Sequence, residues 1–165
     1  MKLLEKMDII SGFVPVDMQT GANNGDWVSL KNYHRCLVVL FKAAGTAGDN
    51  PTITLKQATD VAGAGSKNAA IIAEVYQKQG TLTGVGQWTR VTQAAAATYV
   101  DTASAANQGV YAIDVDTADL DVAGGFDCIQ VSVADVGVNA QLGCAFYMPY
   151  MARYGQQIPD SAIVD

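Results

Sequence analysis

The most strongly apolar stretch of the chain is Cys36-Leu37-Val38-Val39-Leu40-Phe41, which no polar residue interrupts. A second such stretch, Leu142-Gly-Cys-Ala-Phe-Tyr-Met148, lies near the other end of the sequence. Successive side chains of a strand point to opposite faces of its sheet, so both stretches would present apolar groups on both faces. Such strands normally lie in the middle of a sheet that is covered on each side. The two stretches therefore predict the central strands of the core.

Other runs alternate apolar and polar residues, which is typical of strands with one buried face. The clearest are residues 52–56, 111–115 and 129–133, and shorter candidates are 13–18 and 27–31. Turn-forming clusters separate them, because Gly, Asn and Asp tolerate the positive φ of tight turns. The whole pattern predicts roughly eight or nine strands in an all-β, two-sheet antiparallel sandwich.

Length and composition indicate one domain. The chain has 165 residues, of which 50% are hydrophobic and 16% charged, and it shows no internal repeat or linker. We expect a β-sandwich domain over residues 13–154, an N-terminal arm over 1–12 and a C-terminal tail over 155–165. The net charge of -6 argues against a protein whose task is to neutralise phosphates, so no nucleic-acid partner is expected.

The longest apolar run, residues 36–41, is far shorter than the roughly 20 residues of a membrane-spanning helix. The N-terminal residues alternate charged with apolar side chains and contain no signal-peptide core, which predicts synthesis in the cytoplasm.

Two stretches leave the secondary structure open. Residues 68–80 fit a helix capped by Asn68 and ended by Gly80, or a strand with Ile71, Ala73 and Val75 inward. Residues 94–97 are alanines with high helix propensity, but they follow β-branched residues that favour extended structure. We favour strands flanking a loop for both.

The residues needed for common catalytic sites are absent from the sequence. The single histidine, His34, stands at the entrance to a strand, and no GxSxG motif accompanies it. The glycines at 63–65 and 84–86 match neither a phosphate loop nor a dinucleotide fingerprint. Cys36, Cys128 and Cys144 form no CxxC or Cys/His cluster, and we interpret them as buried free thiols. We expect no enzymatic activity, no cofactor and no metal centre.

Acidic residues concentrate in one half of the chain. No Lys or Arg occurs between Val91 and Ala152, whereas seven aspartates do, four of them in Asp114-Val-Asp-Thr-Ala-Asp-Leu-Asp121. This segment has enough oxygen ligands for Ca²⁺, but Asp114 and Asp116 share one strand face while Asp119 and Asp121 fit a turn. We favour a solvated turn over a calcium site, and an acidic face that either steers a basic partner or serves solubility.

Both ends of the chain carry apolar residues outside the predicted sandwich, and Tyr and Met crowd its last strand. Such residues are enriched in protein interfaces, although core packing explains the strand residues equally well. The candidate partner-binding residues are Leu3, Leu4, Met7, Ile9, Ile10, Tyr150, Tyr154, Ile158, Ile163 and Val164.

Four strings carry a resemblance to a known group of proteins. They are Phe13-Val-Pro-Val-Asp-Met-Gln-Thr-Gly-Ala-Asn-Asn-Gly-Asp-Trp27, Asp49-Asn-Pro-Thr-Ile-Thr-Leu-Lys-Gln-Ala-Thr59, Asp119-Leu-Asp-Val-Ala-Gly-Gly-Phe-Asp-Cys128 and Asn139-Ala-Gln-Leu-Gly-Cys-Ala-Phe-Tyr147. Over residues 13–154 the chain resembles small virion structural proteins of tailed bacteriophages, several of which decorate or cement the capsid exterior. The resemblance implies a jelly-roll-like fold, a homotrimer bound to the major capsid protein, a place on the virion surface and no enzymatic activity.

Two other functions stay open. A neck or tail component of the virion would belong to the same class. A carbohydrate-binding sandwich is a different class, indicated by Trp27 and Trp88 near glycine-rich loops and by the acidic segment as a Ca²⁺ site.

Overall fold

A computed structural model describes residues 3–80, 86–102 and 105–154. Short 3-10 helices in this part of the chain span Leu3–Glu5, Met18–Thr20, Thr117–Asp119 and Val122–Gly124. The strands are β1 Ile10–Asp17, β2 Asn23–Asn24, β3 Val28–Ser29, β4 Tyr33–Lys42, β5 Thr52–Ala58, β6 Lys67–Asn68, β7 Ile72–Gly80, β8 Trp88–Ala96, β9 Thr98–Val100, β10 Gln108–Asp116, β11 Cys128–Val133 and β12 Leu142–Ala152. Eight of them have six residues or more, which matches the expected number.

The strands form two antiparallel six-stranded sheets, so the predicted all-β sandwich is confirmed. The front sheet has the order β1-β12-β4-β10-β7-β8. In the back sheet β11 and β5 lie side by side, with β2 and β3 pairing with β11, and with β6 and β9 pairing with β5.

The connections are jelly-roll-like because the long strands pair in a nested series. β4 pairs with β12, β5 with β11 and β7 with β10, as if one long hairpin had been rolled up. Successive pairs alternate between the front sheet, the back sheet and the front sheet. The apolar stretches near the two ends of the chain thereby become neighbours.

The two apolar stretches lie in adjacent central strands, as predicted. Cys36, Val38 and Leu40 of β4 point into the core, and Ala145 and Tyr147 of β12 lie beside them. β11 is buried along its whole length, so Ile129, Val131 and Val133 meet this surface from the back sheet. The core is therefore the space between the inner faces of the two sheets.

Tyr147 joins the two sheets through its hydroxyl group, although the ring is completely buried. The backbone N–H of Val131 donates to this hydroxyl at 2.8 Å, and the hydroxyl donates to the carbonyl of Asp26 at 2.9 Å. Asp26 lies in the gap between β2 and β3, where no strand pairs with that edge of β11, so the phenol accepts the hydrogen bond that a strand partner of Val131 would otherwise accept. A Cβ on Gly25 would stand 2.7 Å from the same hydroxyl, which explains a glycine at that position.

The alternation of buried residues in one strand and the start of the sandwich differ from what the sequence predicts. The strand at 72–80 is confirmed, but Ile72 and Val75 are its fully buried residues instead of Ile71, Ala73 and Val75. A bulge between Ile72 and Glu74 shifts the alternation by one residue, which a period-two pattern cannot anticipate. The sandwich also begins at Ile10, because Ile10 pairs with Tyr147, so residues 10–12 belong to β1 and not to an arm.

We predict that Tyr147→Phe lowers the free energy of unfolding by about 1–3 kcal/mol, because it leaves the buried N–H of Val131 without an acceptor. Urea denaturation followed by circular dichroism measures this change. The matched control is Tyr154→Phe, whose hydroxyl belongs to a side chain that is 66% exposed, and it should change stability by less than about 0.5 kcal/mol. Equal stabilities of the two variants would contradict the role of the phenol.

Candidate partner-binding surface

The outward side of the front sheet is apolar along its central strands. Residues that alternate with the core residues of β4, β10 and β12 must point away from the sandwich. The strand register places them in rows: Val110, Phe41 and Cys144 in one, Ala112, Val39 and Phe146 in the next, then Leu37 and Met148. We call these eight side chains the front face.

The front face is exceptional for the uncovered side of an antiparallel sheet, which normally carries polar residues. Phe41 is 48% exposed, and Leu37, Phe146 and Met148 are half-buried against one another. The sequence predicts that β4 and β12 are covered on both sides. The back sheet covers their inner side. On the outer side the face is only partly open, because Val39 and Ala112 at its centre are each 5% exposed, whereas Phe41 is 48% exposed. An apolar patch of this kind is typical of a protein contact surface.

The N-terminal segment forms a groove at that end of the front face. Met7 forms a bridge with Tyr150 of β12, and the N–H of Asp8 donates to the carbonyl of Pro149 at 3.0 Å. The segment thus runs beside the end of β12 and leaves a cavity of about 640 Å³. We call it the arm groove; its lining is Leu3, Glu5, Lys6, Met7, Leu37, Met148, Tyr150, Met151, Ala152 and Tyr154.

The arm groove brings together four of the predicted partner-binding residues, namely Leu3, Met7, Tyr150 and Tyr154. Met7 is only 7% exposed, because it packs against its own β12. Leu4 and Ile9 are exposed by 58% and 55% and lie outside the lining.

The remaining candidates have other positions. Ile10 was expected outside the sandwich, but it lies in β1 and packs against the core. Ile158, Ile163 and Val164 fall outside the described residues. Sequence reasoning missed Phe41 and Phe146 as outward-facing residues with exposed area, although the apolar runs on both strand faces were the signal that could have identified them.

A polar cluster fixes the edge of the arm groove. The Arg35 guanidinium binds Asp116 at 2.9 Å and Asp114 at 3.1 Å, and its Nε donates to the Tyr150 hydroxyl at 3.0 Å. The Tyr150 hydroxyl in turn donates to Asp114 at 2.8 Å. Hydrogen bonding to Asp114 raises the pKa of Arg35 above its ordinary value, and burial, followed by the bond to Asp114, raises the pKa of Tyr150. The cluster therefore holds Tyr150 in one orientation beside the groove.

Carboxylates in the acidic half of the sequence form ion pairs with cationic side chains from the other half of the chain. Asp114 and Asp116 share Arg35, so they are ion-paired and not simply solvated as expected. Asp121 pairs with Lys67 and accepts the N–H of Gly124 at 3.0 Å. Asp119 lies in a separate 3-10 helix. In the part of the chain that the structure describes, no three His, Cys, Asp or Glu residues are grouped as metal ligands would be.

The other sequence candidates are dispersed over the molecule. His34 is exposed at the start of β4, and the glycine turn at 63–65 leads to Lys67. Cys36 and Cys128 are buried as predicted, whereas Cys144 is half-buried on the front face. Trp27 lies between β2 and β3 of the back sheet and Trp88 in the edge strand β8 of the front sheet, so they do not form one platform.

A scan against protein-family models finds no match, and no curated protein is significantly similar to this chain. No helix among the described residues is long and apolar enough to cross a membrane.

We predict that Lys67→Met raises the pKa of the Asp121 carboxyl group. The bond from Lys67 is the largest cause of the lowered pKa, followed by the bond from Gly124. A carboxyl whose pKa is lower in the folded state stabilises the fold above its unfolded pKa, and this contribution is lost as the pH falls.

A carbon-13 NMR titration measures the pKa of Asp121 directly. Lys31→Met, which removes a different exposed ammonium group, should leave it unchanged. An Asp121 pKa that is the same with and without Lys67 would show that the ion pair does not form in solution.

Proposed function

We propose that this protein is a non-enzymatic structural component of a tailed-bacteriophage virion, and that it binds the major capsid protein on the capsid exterior as a homo-oligomer and stabilises the shell. The sequence resemblance supports the class of protein. The observation that carries the proposal is the combination of a two-sheet sandwich with an apolar outer surface, the front face and arm groove, where Leu3, Phe41 and Met151 are 68%, 48% and 54% exposed.

The disposition of reactive groups supports a structural role over a catalytic one. His34 is exposed at a strand start, and Cys36 is buried in the core with its pKa raised by desolvation. Burial without a neighbouring base suppresses the thiolate that nucleophilic catalysis needs. The charged clusters around Arg35 and Lys67 consist of mutually satisfied ion pairs.

The arm groove is the proposed contact with the shell. Its apolar lining offers anchor sites, and the charged side chains of Glu5 and Lys6 stand at its rim. Stable protein contacts bury roughly 800 Å² per partner and depend on a few desolvated anchors. An oligomer that engages several capsid subunits at once gains avidity without stronger individual contacts. Stabilisation of a shell under internal pressure would follow from such bridging.

A carbohydrate-binding function is the second candidate, and one cleft favours it. Gly25, Asp26, Trp27, Val61 and Gln130 line a space of about 350 Å³ in the back sheet. An aromatic ring beside polar groups suits a sugar, but the cleft has a single aromatic side chain. Binding on a glycan array that Trp27→Ala abolishes would favour this candidate over the virion role.

We predict that Leu3→Glu and Met151→Glu each lower binding to capsid shells at least about tenfold, because each buries a charge in the arm groove. The measurement is co-sedimentation of the full chain with shells of the parent phage that lack it. Leu3 and Met151 are 68% and 54% exposed, so the fold should tolerate both changes.

The matched control is Val138→Glu, at an 82% exposed valine in the loop between β11 and β12. It should bind like the unaltered protein. Equal loss in all three variants, or no loss in any, would contradict the arm groove as the contact. Copy number by mass spectrometry of virions separates the shell role, with hundreds of copies, from a neck or tail role, with few.

A further inference from the structure

We infer that the C-terminal tail, residues 155–165, packs into the arm groove of its own chain and covers the groove in the free protein. A partner that uses the groove would then have to displace the tail. The contact between tail and groove stands apart from the proposed function, whereas displacement by a capsid shell rests on that function.

The chain enters the tail at the groove itself. Met151, Ala152 and Tyr154, at the end of the last described segment, all belong to the groove lining. Met151 and Tyr154 are 54% and 66% exposed, so they present apolar area at the point where the tail begins. The tail is therefore the nearest unassigned stretch of chain to this cavity.

The starting point of the tail is held in place by Arg153. Its backbone N–H donates to the carbonyl of Asn32 at 2.8 Å. Its guanidinium donates to the carbonyl of Tyr33 and to the hydroxyl of Thr117, each at 3.2 Å. These bonds tie the end of β12 to the start of β4 and to a 3-10 helix, so the tail leaves the sandwich from a fixed position beside the groove.

The reach of the tail suits the groove. An extended chain advances about 3.3 Å per residue, so Ile158 can lie up to roughly 13 Å from Tyr154 and Val164 up to roughly 33 Å. A segment joined by so short a connection has an effective concentration in the millimolar range, which a separate partner in dilute solution does not match. The covalent connection therefore favours the tail over a second copy or another protein as the occupant.

The apolar side chains of the tail match the lining. Met7, Met148 and Met151 contribute to the groove, and unbranched thioether side chains adapt to aliphatic groups of different shape. The tail supplies three large aliphatic side chains, Ile158, Ile163 and Val164.

The charges of the tail also agree with the rim of the groove. Asp160 and Asp165 are the charged residues of the tail, which contains no Lys or Arg. The lining includes one carboxylate, Glu5, and one cation, Lys6, which is exposed. Among the residues that the structure describes, Lys6 has no ion-pair partner, so an acidic segment can pair with it.

Methyl NMR of the full chain labelled at its methionines tests this contact. Ile158→Glu/Ile163→Glu should shift the signals of Met7, Met148 and Met151, because the introduced charges do not remain in an apolar groove. Met18 is completely buried in the core, so its signal reports the fold and should stay in place.

The matched control is Gln157→Glu/Ser161→Glu, which adds the same two charges at polar positions of the tail and should leave the groove signals much less shifted. Groove signals that Ile158→Glu/Ile163→Glu leaves unmoved would overturn the inference. Groove signals of the unaltered chain that change on dilution would also overturn it, because the occupant would then come from a second copy.

Co-sedimentation with capsid shells separates this inference from the proposed function. If both are correct, Ile158→Glu/Ile163→Glu should bind shells several-fold more tightly than the unaltered chain, because no tail has to be displaced. Shifted groove signals without tighter shell binding would support the tail contact and contradict the groove as the shell contact. Unmoved groove signals together with shell binding that Leu3→Glu weakens would overturn the inference and leave the proposed function intact.

Discussion

The adjacent central strands β4 and β12 are apolar on both faces. Within one chain, a second sheet packs against only one of these two faces. The inner side chains of these strands form the sandwich core with β11. The outer side chains, among them Phe41 and Phe146, remain on the surface with part of their area in water. The arm groove and the front face both depend on this arrangement, because they are two regions of the outer side of these strands.

The inner packing gives that surface its rigidity. The Tyr147 hydroxyl bonds to the backbone of Val131 and Asp26 and so fixes the front sheet relative to the back sheet. Three residues further along the same strands, Arg35 ties β4 to β10 and to Tyr150 of β12. A partner would therefore meet side chains that are already ordered, which lowers the entropic cost of binding.

The sequence predicts the fold better than the surface. Alternation and the two apolar runs suffice for the sandwich and for β4 and β12 at its centre, because strand periodicity depends on local side-chain pattern. The bulge at Ile72 depends on pairing with β8. The burial of Lys42 depends on the carbonyl groups of Ala105 and Asn107, which accept hydrogen bonds from its ammonium group. Long-range pairs such as Arg35 with Asp114 also have no local signal. The arm candidates Leu3, Met7, Tyr150 and Tyr154 meet only because β12 ends beside the N-terminal segment.

The most direct measurement of the front face as a contact surface is the reactivity of Cys144 in the unaltered protein with a neutral maleimide, read by mass spectrometry. Cys144 lies on the front face beside Phe41, whereas Cys36 is buried in the core and Cys128 is buried in β11, so both report unfolding. We predict that Cys144 reacts several-fold more slowly in the protein bound to capsid shells than in the free protein, while the other two cysteines stay unmodified throughout. A Cys144 rate that is the same in the bound and the free protein would contradict the account.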